Sequence, residues 1–194
     1  MLKGKIVGTG SYLPEKILTN ADFEKIVDTS DEWITTRTGI KERHIAADDQ
    51  ATSDLALIAA ERALKSANMS SDDIDCILVA TVTPDMNFPS TACILQDKLQ
   101  APNCMAMDLS AACAGFIYGL HLANSLIAAE QVRNVLLIGA EVLSSITDYT
   151  DRNTCVLLGD GAGAIILTPS KTNGFSLIPV PVNPAASYPI SELT

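Results

Sequence analysis

The sequence predicts an α/β fold: a mixed sheet with helices on both faces. Three observations carry this. Two continuous apolar runs, CILVATV at 76–82 and NVLLIG at 134–139, have the length of strands buried on both sides. Segments of helical periodicity alternate with such runs along the chain. The stretch at 111–131 reads as a helix that is apolar nearly all round, and such helices sit inside a large protein, covered on more than one side.

The elements follow in order. Residues 5–10 (KIVGTG) form a short strand ending in glycine, and Leu13-Pro14 closes it. Thr19, with Asp22 three residues on, caps a short helix reaching about Val27. Ser30, followed by Asp31 and Glu32, opens a second helix that Gly39 stops. The clearest helix is 51–68, where Leu55, Ile58, Ala59, Arg62 and Ala63 recur at helical spacing behind Thr52 or Ser53 as cap. Residues 70–73 are a polar turn, 76–82 a strand, 84–89 a loop and 90–99 a helix. A strand at 104–109 leads into the apolar helix at 111–131. The strand at 134–139 follows, and then two strands, 156–158 and 162–167, on either side of a glycine turn. Residues 174–194 carry prolines at 179, 181, 184 and 189, a density that neither a helix nor a central strand tolerates.

Composition narrows the function classes. The 194 residues include 13 Lys and Arg against 23 Asp and Glu, a formal charge of -10. Such a chain repels phosphate, so general nucleic-acid binding is excluded. Charged residues are 19% of the chain, below the usual share of about 25%, so part of the surface is expected to be covered. Five cysteines without CxxC spacing give neither a disulfide framework nor a zinc or other metal site, and they suit a reducing cytoplasm. The N-terminus reaches Gly and Pro before any long apolar run, unlike a signal peptide. Sixteen of the 20 residues at 111–130 are apolar or Gly, but His121, Asn124, Ser125 and Glu130 interrupt them, so no membrane span is expected.

Cys113 is the candidate nucleophile. It follows a strand end and a run of small residues, Ser110-Ala111-Ala112, and falls at the start of the apolar helix. Unpaired N–H groups there favour an anion and depress a thiol pKa. The other reading is a small core cysteine, which describes Cys76, Cys93, Cys104 and Cys155. No histidine is placed as a local base. His121 lies eight residues on, about 12 Å along a helix axis, and His44 sits in a separate polar segment. Gly159-Asp160-Gly161-Ala162-Gly163 runs into a strand rather than opening a helix, so it is a turn and not a phosphate loop. Trp33, the sole tryptophan, shares a helix face with Arg37. The pair could hold a purine and its phosphates, or Trp33 could be a core residue.

The segment GTGSYLPEKILTNADFEKIVDTSDEWITTRTGIKERHIA resembles the N-terminal signature of the 3-oxoacyl-[acyl-carrier-protein] synthase III family, the initiating condensing enzymes of bacterial fatty-acid synthesis. DLSAACAGF resembles the active-site cysteine motif of that family. DYTDRNTCVLLGDGAGAIIL resembles its later segment, which contacts adenine and carries a glycine turn. The likeness covers roughly residues 1–168. It implies a thiolase-like fold of two similar halves and a homodimer in the cytoplasm. It implies that Cys113 takes the acetyl group of acetyl-CoA or another acyl-CoA as a thioester, with no further cofactor. The acyl group then condenses with malonyl on acyl carrier protein, with loss of CO2. By position in the motifs, Trp33 and Arg152 flank the CoA adenine, with Thr29 and Arg37 near CoA. Phe88 lines the acyl pocket of the neighbouring subunit.

The family's decarboxylating His and Asn belong to a C-terminal half that these 194 residues do not include. Residues 1–170 therefore read as the N-terminal half and 171–194 as a Pro-rich tail unlike the family. Two functions of different class follow. One is an enzyme half that contributes the nucleophile and the CoA site and needs a second polypeptide, a complementing C-terminal half, for activity. The other is a non-catalytic remnant that binds CoA or a partner.

Overall fold

The computed structural model describes residues 2–172; the Pro-rich segment at 174–194 lies outside them. Among these residues seven strands and five α-helices are formed. They are β1 (Lys3–Tyr12), β2 (Lys16–Thr19), α1 (Asn20–Phe23), α2 (Asp31–Thr38), β3 (Glu42–Ile45), α3 (Thr52–Ala67), β4 (Cys76–Ala80), α4 (Thr91–Lys98), β5 (Met105–Leu109), α5 (Gly115–Ala128), β6 (Val135–Val142) and β7 (Asp160–Ser170).

Five strands make one mixed sheet in the order β1-β7-β6-β4-β5. β4 is parallel to β5 and β6, while β7 is antiparallel to β6 and β1. Alternation along β4 and β6 divides the core. Ile77, Val79, Leu136 and Ile138 face α3 and α4. Cys76, Leu78, Val135 and Leu137 face Ala123 and Ile127 of α5. Every residue of β4 is buried, as expected for a strand covered on both faces.

Close helix–sheet contact needs small residues at the crossings. α3 lays Ala59 and Ala63 against β1, and a Cβ on Gly10 would stand 2.1 Å from the Ala59 carbonyl oxygen. On the other face, Gly115, Gly119, Ala123 and Ile127 of α5 are buried. The opposite side of α5 carries exposed Ile117 and Tyr118, 56% and 50% accessible, with His121 and Ser125. Nothing among the described residues covers that apolar side. At fourteen residues, α5 is too short to cross a membrane, and no other described helix is long and apolar enough to do so.

The structure corrects the sequence reading in several places. Residues 16–19 and 42–45 pair as a two-stranded antiparallel ribbon, which four-residue segments do not announce by alternation. α3 starts one residue later than expected and is not capped by Thr52 or Ser53. Asp54 accepts the Ala51 N–H instead, while the Thr52 and Ser53 side chains are buried against Thr83 and Asp85. Residues 156–158 are not a strand but part of the turn region before β7. Gly161 and Gly163 lie inside β7 rather than at a turn; a Cβ on Gly161 would come within 2.9 Å of Leu13. Cys93 and Cys104 are half-buried rather than in the core, because α4 and β5 form the margin of the sheet.

Candidate active site

β5 delivers Cys113. Its last residues are pinned by Asp108, whose carboxylate accepts the Thr91 and Ala92 N–H groups at 2.8 and 2.7 Å. Those are orphan donors of the first turn of α4, so one side chain fixes both the strand end and the helix start. Ala112 then turns the chain with φ 45°, a left-handed conformation that costs an L-residue about 1–2 kcal/mol. Ala112–Ala114 form a single 3-10 turn, and α5 begins at Gly115 with no side chain capping it. Gly115 lies close over Ala80 at the end of β4, where a Cβ would be 3.2 Å from the Ala80 Cβ. The result is an exposed thiol at an uncapped helix start.

The other cysteines have different surroundings. Burial pushes the Cys76 thiol up to about 11, and burial also raises Cys104 and Cys155. A neutral thiol is not a nucleophile. Brief iodoacetamide treatment near pH 8 should therefore label Cys113 first, read by peptide mass mapping. Earlier labelling of Cys76 or Cys155 would overturn this assignment.

The second cluster forms around Trp33. Ser30 caps α2 through the Trp33 N–H, and Gly39 ends the helix at φ 72°. Ile34 goes into the core while Trp33 stays half-buried at its rim. The Arg37 guanidinium carbon lies 4.5 Å from the Trp33 ring centroid, and that of Arg152 lies 4.8 Å from it. Arg152 also approaches Asp28 at 3.9 Å. Two buried polar atoms here have no hydrogen-bond partner, Thr29 Oγ1 and Arg152 Nε. Residues from two distant segments, 28–37 and 152, thus converge on one ring. Phe88 lies elsewhere, 87% exposed on the loop between β4 and α4. His44 is half-buried, with Nδ1 2.5 Å from the Pro14 carbonyl oxygen, and His121 is on the outer side of α5.

Sequence reasoning missed the node that holds the two segments together. Arg43, 3% exposed, donates from Nε to the Val156 carbonyl at 2.8 Å and from Nη1 to Asn20 Oδ1. Asn20 donates in turn to Asp31 Oδ1 and the Ile40 carbonyl. This ties the β2–β3 ribbon and α2 to the segment carrying Arg152. The available signal was an arginine alternating with Ile45 in ERHI, which a four-residue strand leaves ambiguous.

A mixed sheet covered by α3 on one face and α5 on the other, with a cysteine presented after the edge strand β5, defines the thiolase-like class of α/β folds. A family model of 3-oxoacyl-[acyl-carrier-protein (ACP)] synthase III matches residues 107–183. The beta-ketoacyl-[acyl-carrier-protein] synthase III of Caldanaerobacter subterraneus subsp. tengcongensis is 66% identical over 162 residues, 84% of this chain and 49% of its own length. That of Xanthomonas oryzae pv. oryzae is 58% identical over 170 residues, 88% of this chain and 52% of its own. The crystal structure of the Aquifex aeolicus 3-oxoacyl-[acyl-carrier-protein] synthase III superposes with a TM-score of 0.85 at 56% identity, covering 87% of this chain and 54% of that one. The chain is a homologue of the synthase III family, and it spans about half the length of the curated relatives it matches.

Proposed function

We propose that the chain supplies the nucleophile and the coenzyme-A site of an initiating condensing enzyme of fatty-acid synthesis. The observation that carries this is the Trp33 cluster. A flat aromatic ring with two guanidinium groups within 5 Å suits a purine base and its phosphates. The unpartnered Thr29 hydroxyl and Arg152 Nε are buried polar groups that a bound ligand could satisfy.

In this reading Trp33 and Arg152 flank the adenine, Thr29 and Arg37 lie near CoA, and the pantetheine thioester reaches Cys113. The thiolate attacks the acetyl carbonyl carbon. The carbonyl oxygen gains the charge, which the free N–H groups at the start of α5 can hold. Collapse expels the CoA thiolate and leaves acetyl-Cys113. Malonyl-acyl carrier protein is the second substrate. The assembly is a homodimer, in which Phe88 reaches the neighbouring acyl pocket. An edge strand β5 with exposed Met105 and Met107 and no lysine supports pairing, whereas the opposite edge, β1, carries Lys3 and Lys5. Five free thiols fit work in the cytoplasm.

Coenzyme A should change the fluorescence of Trp33, the sole tryptophan, saturably at micromolar to millimolar concentration. Arg152→Ala should weaken binding by about tenfold, near 1.4 kcal/mol, within the range of a desolvated cation–π contact. No response at millimolar CoA in a sample with native circular dichroism would overturn the coenzyme-A reading.

A further inference from the structure

Glu141, near the end of β6, spends its carboxylate on one three-residue segment. It accepts the Val82 N–H at 2.9 Å, the Thr83 N–H at 3.1 Å, the Thr81 hydroxyl at 3.1 Å and the Thr83 hydroxyl. A carboxylate has about four lone-pair sites, so its whole accepting capacity goes to Thr81–Thr83. Bonds to an ionised acceptor are roughly twice as strong as neutral ones. Thr81 and Thr83 are buried, and the Thr83 hydroxyl also accepts the Val142 N–H at 2.9 Å. Two residues on, Asp85 accepts the Ser53 N–H at 2.8 Å and the Ser53 hydroxyl.

Beyond these anchors the loop changes character. Met86 and Phe88 are 51% and 87% exposed. The loop is thus a projecting finger on a clamped root. The same root touches the strand that delivers the nucleophile, because the Thr81 N–H donates to the Leu109 carbonyl at 3.3 Å. Glu141 therefore links, through three residues, the end of β5 ahead of Cys113 and the base of the Phe88 finger.

We propose that Glu141 is a positioning residue that fixes the root of the Phe88 finger and thereby sets the acyl chain length that Cys113 of the neighbouring copy accepts. This rests on the proposed homodimer, in which Phe88 enters the neighbouring acyl pocket, and on Cys113 as the acylated thiol. Glu141→Gln keeps the size but turns an amide N–H2 toward donors, so the root should loosen without loss of the sheet.

The test uses the full chain and two readouts. Hydrogen exchange at Val82 and Thr83 should quicken at least tenfold in Glu141→Gln, with β4 and β6 unchanged. The ratio of Cys113 acylation rates by acetyl-CoA and hexanoyl-CoA, followed by intact mass, should shift at least fivefold. Glu141→Asp, which keeps the charge, should return the ratio toward the native value. A ratio unchanged within twofold, or protection lost equally across the whole sheet, would overturn the proposal. If the native chain is acylated by neither thioester, the proposed function itself fails and this inference falls with it. That outcome is distinguishable, because it appears before any substitution is made.

Discussion

A polypeptide of these 194 residues is expected to take an acetyl group from acetyl-CoA onto Cys113 and then stop, releasing no acetoacetyl-carrier protein from malonyl-carrier protein. The two half-reactions ask different things of the protein. Acyl transfer needs a nucleophilic sulfur and donors for one oxyanion, and in the proposed reading the exposed Cys113 and the free N–H groups at the uncapped start of α5 supply them. Decarboxylation places negative charge on the malonyl thioester oxygen. The resemblance assigns the donors for that charge to a His and an Asn outside this sequence. His44 is engaged with the Pro14 carbonyl, and His121 is exposed on α5 eight residues past Cys113, so neither is placed to substitute for them. Removing one such donor typically costs a hundred- to a thousand-fold in rate, about 2.7–4 kcal/mol, so losing both should leave no measurable turnover. The assay compares the polypeptide alone with the polypeptide plus a supplied C-terminal half of a relative, each with Cys113→Ala as control. Turnover by the polypeptide alone that vanishes in Cys113→Ala would show the division of labour to be wrong.

Gly10→Ala should be the most damaging single-methyl change in the described fold. The added Cβ would lie 2.1 Å from the Ala59 carbonyl oxygen and 2.5 Å from the Ala63 backbone nitrogen. Both are main-chain atoms of α3, so no side chain can swing aside; strand and helix must separate. Overpacking of this kind costs about 3 kcal/mol or more, and in a chain of this size that lowers Tm by roughly 6–12 °C. Gly163→Ala is the matched control, because its Cβ would meet nothing within 4 Å. Thermal unfolding of the two variants beside the native chain measures the contrast. Equal melting temperatures for Gly10→Ala and Gly163→Ala would refute the close crossing of β1 and α3.

Much of this architecture is legible in the sequence because period and burial coincide. CILVA and VLLIG are apolar on every residue and form strands covered on both faces. The alanine-rich helix α3 has the spacing of its buried stripe. Cys113 stands out because a strand, a run of small residues and an apolar helix meet there. What stays hidden is held by side-chain hydrogen bonds to distant backbone groups. No local pattern says that Arg43 reaches Val156, 113 positions away, or that Asp108 caps α4. The ribbon of β2 and β3 is hidden for the same reason, since the Arg43–Asn20 hydrogen bond that ties it down leaves no mark in alternation. The glycines at 161 and 163 mislead because a close approach and a turn both call for glycine, and only the fold shows which is meant.

The register that joins β1 to β7 has a consequence for how the chain is made. Among the described strands β1 pairs with β7 alone, Lys3 opposite Ser170 and Tyr12 opposite Ala162. β1 thus waits for β7, the last of the described strands. At about 5–20 residues per second, synthesis holds that edge open for on the order of ten seconds or more. During that interval α3 has only part of its floor, and β6 lacks its neighbour on that side. Closure of a loop this long is slow compared with helix formation. The nascent chain is therefore most exposed to mispairing and to chaperone capture just before residues 160–170 emerge, and the lysines at 3 and 5 lie on the strand that must wait.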